Sequence, residues 1–235
     1  MLELLRGGRD VVRVGHRGAA ALAPENSLAA IETAAAHGMD VVEVDVNRRA
    51  DGVLVLAHGP VLARDAPALE EGLELAGRHG LAVQLDIKLP GAEREIAAAL
   101  RRHDLLERAF VSSFALATLE AFAREEPMLP RSYTYPDDRY GLSGVAALRP
   151  ALRAGLAALR AALPRRLPVW LRSVEAAAAT LNWTVVSPAA VDACHALGAA
   201  VYVWTVNDPD VVRTLLETGI DGIITDDPRL LARTL

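Results

Sequence analysis

The sequence predicts an α/β protein, a single (β/α)8 barrel of the TIM type. Short runs rich in β-branched residues alternate with longer Ala/Leu-rich segments of helical period, the pattern of parallel strands joined by crossover helices. Eight such runs occur, and eight strands with their helices fill one barrel in a chain of 235 residues. The charged residues that could do chemistry cluster at the ends of those runs, where a parallel barrel builds its site.

Taken in order, the first strand is read at Val11–Gly15, with Asn26 as cap of the following helix and His37-Gly38 as its last turn and C′ glycine. Val41–Val46 is the second strand, followed by an Asp51-Gly52 turn and a short extended run, Val53–Ala57. A helix ending in His79-Gly80 leads to the third strand, Ala82–Ile87, and Ala109–Ser112 and Arg131–Tyr135 supply the fourth and fifth. The sixth is placed at Trp183–Val186, just before Ser187-Pro188, a cap residue followed by proline at the first helical position. Ala200–Thr205 and Gly219–Thr225 complete the ring, and Asp227-Pro228 opens the last helix.

Between the fifth and sixth strands lies a helical excursion over residues 140–182, with Arg149, Arg153, Arg160, Arg165, Arg166 and Arg172 and no acidic residue from Tyr140 to Val174. Leu148, Leu152, Leu156, Leu159 and Leu163 share one helical face, so the simplest reading is an amphipathic barrel helix; a surface facing lipid or phosphate is the alternative. With no low-complexity linker in between, residues 1–235 are read as one domain.

Composition narrows the function. An apolar fraction of 52% and a mean hydropathy of +0.22 exclude a disordered chain, and a formal charge of -5 gives no general attraction to nucleic acid. An anionic substrate must be held by local charge. Cys194 is the single cysteine, so no internal disulfide can form, and the N-terminal apolar run is broken by Glu3, Arg6, Arg9 and Asp10. A cytoplasmic protein without a transmembrane segment is expected, with residues 140–182 the only candidate for peripheral membrane contact. Lys88 is the only lysine among many arginines, which reads either as a position wanting a compact ammonium or as a single codon that drifted.

Period-2 alternation puts Glu43 and Asp45 on the face of the second strand opposite Val42, Val44 and Val46. Gln84, Asp86 and Lys88 alternate in the same way on the third. Carboxylates turned into a barrel mouth repel each other unless a cation intervenes, and three oxygen donors suit Mg²⁺ or Ca²⁺ better than Zn²⁺. The competing reading is an ion-pair network with Lys88 or Arg17. His16 ends the first strand and His58 ends the run Val53–Ala57, whereas His37, His79, His103 and His195 fall in or at the ends of helices. Trp204 shares strand parity with Tyr202 and is placed near the mouth.

In order along the chain stand His16-Arg17-Gly18, Pro24-Glu25-Asn26-Ser27, Glu43-Val44-Asp45, Asp51-Gly52 before His58, and Asp86-Ile87-Lys88. They are followed by Ser112-Ser113-Phe114, Trp204-Thr205-Val206-Asn207 and Gly222-Ile223-Ile224-Thr225-Asp226-Asp227-Pro228. This ordered set resembles the glycerophosphodiester phosphodiesterase family from about Val12 to Pro228. The resemblance implies hydrolysis of a glycerophosphodiester to sn-glycerol 3-phosphate and an alcohol. It further implies His16 and His58 as the acid–base pair, Glu43, Asp45 and Asp86 as ligands of a divalent metal, and Arg17 and Lys88 as phosphate contacts. Trp204 is a candidate to pack against the substrate alcohol, while Glu25 and Asn26 are read as a helix start with supporting hydrogen bonds. Asp226 is open to either role, since Asp227-Pro228 already explains the last helix. Both assignments of acid and base stay open, as do direct attack by water and prior attack by a substrate hydroxyl through a cyclic phosphate.

The chain departs from the family pattern where glutamate is usual at Asp86, where aspartate rather than Gly59-Pro60 follows the second histidine, and where an inserted subdomain often lies between His58 and Asp86. The last departure admits a bulkier diester such as a lysolipid. A lipid-directed phosphodiesterase of the same barrel class and a catalytically silent phosphodiester-binding protein are the two alternatives.

Overall fold

A computed structural model describes residues 3–8, 10–59, 65–137 and 149–234, the first six of α5 by backbone alone. The elements run β1 (Val12–Gly15), α1 (Leu28–Ala36), β2 (Val41–Arg48), β3 (Leu54–Leu56), α2 (Leu69–Arg78), β4 (Ala82–Ile87), α3 (Glu93–Arg102), β5 (Ala109–Ser113), α4 (Leu116–Glu125), β6 (Arg131–Tyr135), α5 (Arg149–Ser173), β7 (Ala178–Asn182), α6 (Pro188–His195), β8 (Ala200–Trp204), α7 (Pro209–Leu216), β9 (Gly222–Thr225) and α8 (Pro228–Thr234). Eight strands pair in parallel, and β1 pairs with both β2 and β9, which closes the ring. The (β/α)8 expectation holds. The short β3 folds back antiparallel on the upper end of β2, pairing Val46 with Leu56 and Arg48 with Leu54, and so brings His58 toward the mouth.

Alternation along the strands divides the core into an outer and an inner layer. Val42, Val44 and Val46 turn outward into one cluster with Ile31, Leu73 and Leu100 of the helices. Inside the lower half, Val14, Val41, Phe110, Tyr202 and Ile224 pack with Ala82, Ala178 and Ala200, and Leu4 joins them from the N-terminal segment. The Phe110 and Tyr202 rings lie 5.4 Å apart, so their neighbours at this level must be small. The upper half is polar, with Glu43, Asp45, Gln84, Asp86, Ser112, Ser132, Thr134 and Thr180 all buried. An apolar floor under a polar mouth makes this end the place for chemistry.

Two expectations are corrected. The sixth barrel strand is Ala178–Asn182, while Trp183–Val185 is a turn of 3-10 helix with Trp183 exposed. Strand propensity favoured the Trp-Val run, but the packed inner layer has room beside Phe110 and Tyr202 only for a residue like Ala178. Asn26 does not cap α1. Ser27 does, accepting from the Ala30 amide, while Asn26 takes a left-handed conformation (φ 56°) and spends its side chain on Asp45. The glycines after His37 and His79 both take φ +71° as expected of C′ residues, and Ser187 caps α6 with proline behind it.

In the 140–182 excursion, Leu163, Leu167 and Leu171 of α5 are buried in the outer layer and Leu156 and Leu159 partly so. Arg160, Arg165, Arg166 and Arg172 are exposed. Leu148 and the side chains of Arg149, Leu152 and Arg153 lie outside the described residues. This packing is that of an amphipathic barrel helix. Among the described residues no helix is long and apolar enough to cross a membrane. Cys194 is buried, which pushes its thiol up to about 12.

Candidate active site

The turn after β1 is shaped by two unusual backbone positions. Arg17 adopts φ 48°, a region costly for a residue with a Cβ, and Gly18 adopts φ 87°. A Cβ on Gly18 would lie 2.5 Å from the carbonyl carbon of Ala30, so only glycine lets the turn rest on α1. The Arg17 amide donates to Glu43 Oε2 at 2.8 Å and the Gly18 amide to the Glu43 carbonyl at 3.1 Å. The strain is thereby tied to the carboxylate it helps to place.

Glu43 and Asp45 come from β2 and Asp86 from β4, and strand register sets Asp45 directly beside Asp86. One carboxylate oxygen from each lies within 4.8 Å of the others, and all three residues are buried. Lys88 Nζ lies 2.8 Å from Asp45 Oδ1 and also contacts Asp86. Arg17 Nε lies 3.0 Å from Asp45 Oδ2 as an ion pair without hydrogen-bond alignment, and Arg17 Nη1 donates to Glu25 at 2.6 Å. The carboxylate cluster and the ion-pair network expected as rivals therefore coexist.

The two cations serve the three carboxylates unequally. Burial tends to raise the Asp45 pKa, but the His58 contact and the charges of Lys88 and Arg17 outweigh it and hold the group well below the usual carboxylate range. Glu43 is pushed up to about 7 by burial and then by the negative charge of Asp45. An acidic group left short of positive charge beside two others is a cluster that could hold a metal ion, and hard carboxylate oxygens fit a hard divalent cation.

The same shifts fix a pH dependence. A folded-state pKa above the unfolded one stabilises at low pH and loses that stabilisation as pH rises through the folded value. Glu43, moved from 4.5 to about 7, has this sense, and so does His16, whose pKa is raised. Asp45 and Asp226 are lowered, and their contribution is lost only in acid, below the usual carboxylate range. The metal-free protein should therefore melt roughly 5 °C lower at pH 8 than at pH 5. Thermal melts in chelator across that range test this, and a flat or rising profile contradicts it.

His16 follows β1, and its Nδ1 lies 2.6 Å from Asp226 Oδ1. Burial works to lower the His16 pKa, but the Asp226 hydrogen bond and the charge of Glu43 outweigh it. Because an ionised carboxylate only accepts, Nδ1 carries the proton and Nε2, 4.0 Å from Glu43 Oε2, is left for other partners. Asn207 donates to the second Asp226 oxygen and accepts from the Asp226 amide and from Thr225 Oγ1, each at 3.0 Å. His58 Nδ1 lies 3.1 Å from Arg17 Nη2 and 3.2 Å from Asp45 Oδ2.

Across the mouth, Trp204 donates from Nε1 to the Thr180 carbonyl and meets Phe114 edge to face at 5.8 Å; Lys88 Nζ stands 5.6 Å from the Phe114 ring centre. His16, Arg17, Glu43, Asp45, His58, Asp86, Lys88 and Trp204 all line one hollow of about 70 Å³. The eight residues singled out in the sequence thus meet at one place. Wider hollows, of about 540 Å³ between α5 and α7 and about 650 Å³ at the opposite end of the barrel, contain none of them. The sequence reading left Asp226 unassigned and gave no role to Asn207 or Thr134. A signal for Asp226 was present: Asp227 receives the Arg229 amide at the start of α8, which frees the preceding aspartate for other work.

Of the histidines in or at the ends of helices, His37 and His79 are exposed and the other two pair with carboxylates away from the mouth. His195 bonds Asp221 at 2.8 Å beside the start of β9, and His103 bonds Glu70 at 2.6 Å between helices.

Comparison with known proteins places the chain among relatives of one kind. A probable glycerophosphodiester phosphodiesterase 2 of Mycobacterium tuberculosis is 30% identical over 100% of this chain and 94% of its own. A glycerophosphodiester phosphodiesterase of Caldanaerobacter subterraneus is 27% identical, covering 93% of this chain and 95% of its own. In fold, the chain is similar to a phosphodiesterase of Oleispira antarctica solved with the product sn-glycerol-3-phosphate. The TM-score is 0.73 at 22% identity, over 94% of this chain and 95% of that one. The glycerophosphoryl diester phosphodiesterase family matches residues 16–68 and 82–230, from the first strand-end histidine to the last helix, and the chain belongs to that family.

Proposed function

We propose that this protein is a metal-dependent hydrolase of glycerophosphodiesters that releases sn-glycerol 3-phosphate and an alcohol. The observation that carries the reading is the convergence on one mouth of two strand-end histidines, a buried cluster of three carboxylates and two cations. Glu43, Asp45 and Asp86 would hold Mg²⁺ or Ca²⁺, which when bound polarises the phosphate and offsets the charge that builds on its oxygens. Arg17 and Lys88 add fixed positive charge, and their ties to Glu25, Asp45 and Asp86 keep that charge from wandering.

His16 and His58 divide the proton work. As the bond to phosphorus forms, one ring takes the proton of the attacking hydroxyl, from water or from the substrate itself, and the other gives a proton to the departing alkoxide. Asp226, itself held by Asn207, keeps the His16 ring in one orientation with Nε2 available. Trp204 and Phe114 offer an apolar wall for the carbons of the alcohol.

The test is a panel of glycerophosphocholine, glycerophosphoethanolamine, glycerophosphoinositol and a lysolipid, with products identified by mass. Release of sn-glycerol 3-phosphate from at least one glycerol diester is expected. Cleavage of the lysolipid alone would replace the reading with the lipid-directed one, and binding of all four without cleavage would favour a silent binding protein.

A further inference from the structure

Beneath the catalytic groups, two buried oxygens are left without partners. Gln84 is 1% exposed and Thr134 4%, yet neither Gln84 Oε1 nor Thr134 Oγ1 has a hydrogen-bond partner. Both residues line the same hollow as His16, Lys88 and Trp204. The orientation of Gln84 follows from its neighbour. Ser112 donates its only hydroxyl proton to Asp86 Oδ1 at 2.6 Å, so its oxygen must accept from Gln84 Nε2, 3.0 Å away. This chain of bonds leaves Oε1 facing the void as an acceptor. Thr134 Oγ1 meets no side chain in bonding geometry, its neighbours Ser132 and Thr180 bonding each other at 2.7 Å.

We propose that Gln84 and Thr134 form a hydroxyl-recognition subsite that takes a free hydroxyl of the polyol attached to the phosphate. The proposal rests on the hydrolase reading only for the identity of the substrate. Leaving a buried oxygen unpaired is costly, so the hollow favours a group that satisfies both. The hydroxyls of a polyol do so, donating to Oε1 and accepting from Thr134. An alkyl group satisfies neither oxygen, a quaternary ammonium has no proton to give, and a carboxylate would meet Glu43, Asp45 and Asp86. The position also fits the geometry of the barrel. The carboxylates stand on β2 and β4 and Thr134 on β6, so a phosphate held by Lys88 and Arg17 beside the carboxylates would project its substituent toward Thr134, Trp204 and Phe114.

A bound water could occupy the same place, and the experiment separates the two. Binding of sn-glycerol 3-phosphate and of n-propyl phosphate, which has the same carbon count and no hydroxyl, is measured by calorimetry in Mg²⁺. The parent protein, Thr134→Val and Thr134→Ser are compared, with melts to verify folding. Thr134 is chosen because Gln84 also supports Asp86 through Ser112. The parent should bind the glycerol phosphate at least about tenfold more tightly, the worth of one to two hydrogen bonds. Thr134→Val should bring that ratio to about two or less without weakening propyl phosphate, and Thr134→Ser should retain it. A parent that does not discriminate, or binds neither phosphate, overturns the proposal. So does a Thr134→Val variant that weakens both ligands equally, the result expected of a lost water or altered packing. Discrimination by a protein that cleaves no diester would leave the subsite standing and remove the hydrolase reading.

Discussion

Removing divalent metal from the protein should abolish phosphodiester turnover, and adding Mg²⁺ or Ca²⁺ should restore it. Three buried carboxylates share the service of two cations, Lys88 pairing with Asp45 and Asp86 and Arg17 with Asp45, and Glu43 is left with its pKa near 7. At neutral pH such a cluster either keeps a proton or gains a cation, and metal binding must displace that proton. Asp86→Ala removes one of the three oxygen donors and leaves Lys88 with Asp45 alone. The metal concentration for half-maximal activity should rise by about 100-fold, and the thermal stabilisation conferred by metal should fall in parallel. Asp86→Glu restores the length usual in the family and should keep most activity. Full turnover in a rigorously metal-free preparation would refute the dependence, whatever the melts show.

The sequence was most legible where chemistry follows a two-residue period. Glu43, Asp45, Asp86 and Lys88 could be placed on inward faces from alternation with valine, leucine and isoleucine, and all four line the mouth. It was least legible where packing overrides propensity. Ala178 and Ala179 begin a barrel strand although alanine is a poor strand former, because Ala178 lies in the layer filled by Phe110 and Tyr202. Asn26 looked like a helix cap because its type favours caps, and its bond to Asp45 could not be read without knowing how β2 lies against the turn after β1.

The partnership of His16 with Asp226 shows what barrel closure adds. Their separation along the chain hides it, but β1 pairs with β9 in a register that sets Gly15 opposite Thr225. The next residue on each strand is then His16 and Asp226, side by side at the mouth. Closure of eight strands was expected from the sequence, and the missing information was the register.

Replacing His16 or His58 by alanine should lower turnover by at least about 10²-fold, the lower range for loss of a general acid or base, while the protein stays folded. The His16 ring is oriented by Asp226, and the His58 ring lies against Arg17 and Asp45, so each is held at the mouth by groups that do not depend on substrate. Loss of either ring should fall mainly on kcat, because Arg17 and Lys88 remain to hold the phosphate and the three carboxylates remain to hold a metal ion. The control is His195, which bonds Asp221 beside the start of β9, where Asp221 also receives the Val201 and Arg6 amides. His195→Ala should therefore lower the melting temperature slightly and leave kcat and KM near the parent values. Steady-state kinetics with melts of all three variants separate these effects. Comparable losses of kcat at all three positions in folded protein would show that placement at a strand end does not distinguish the reacting histidines.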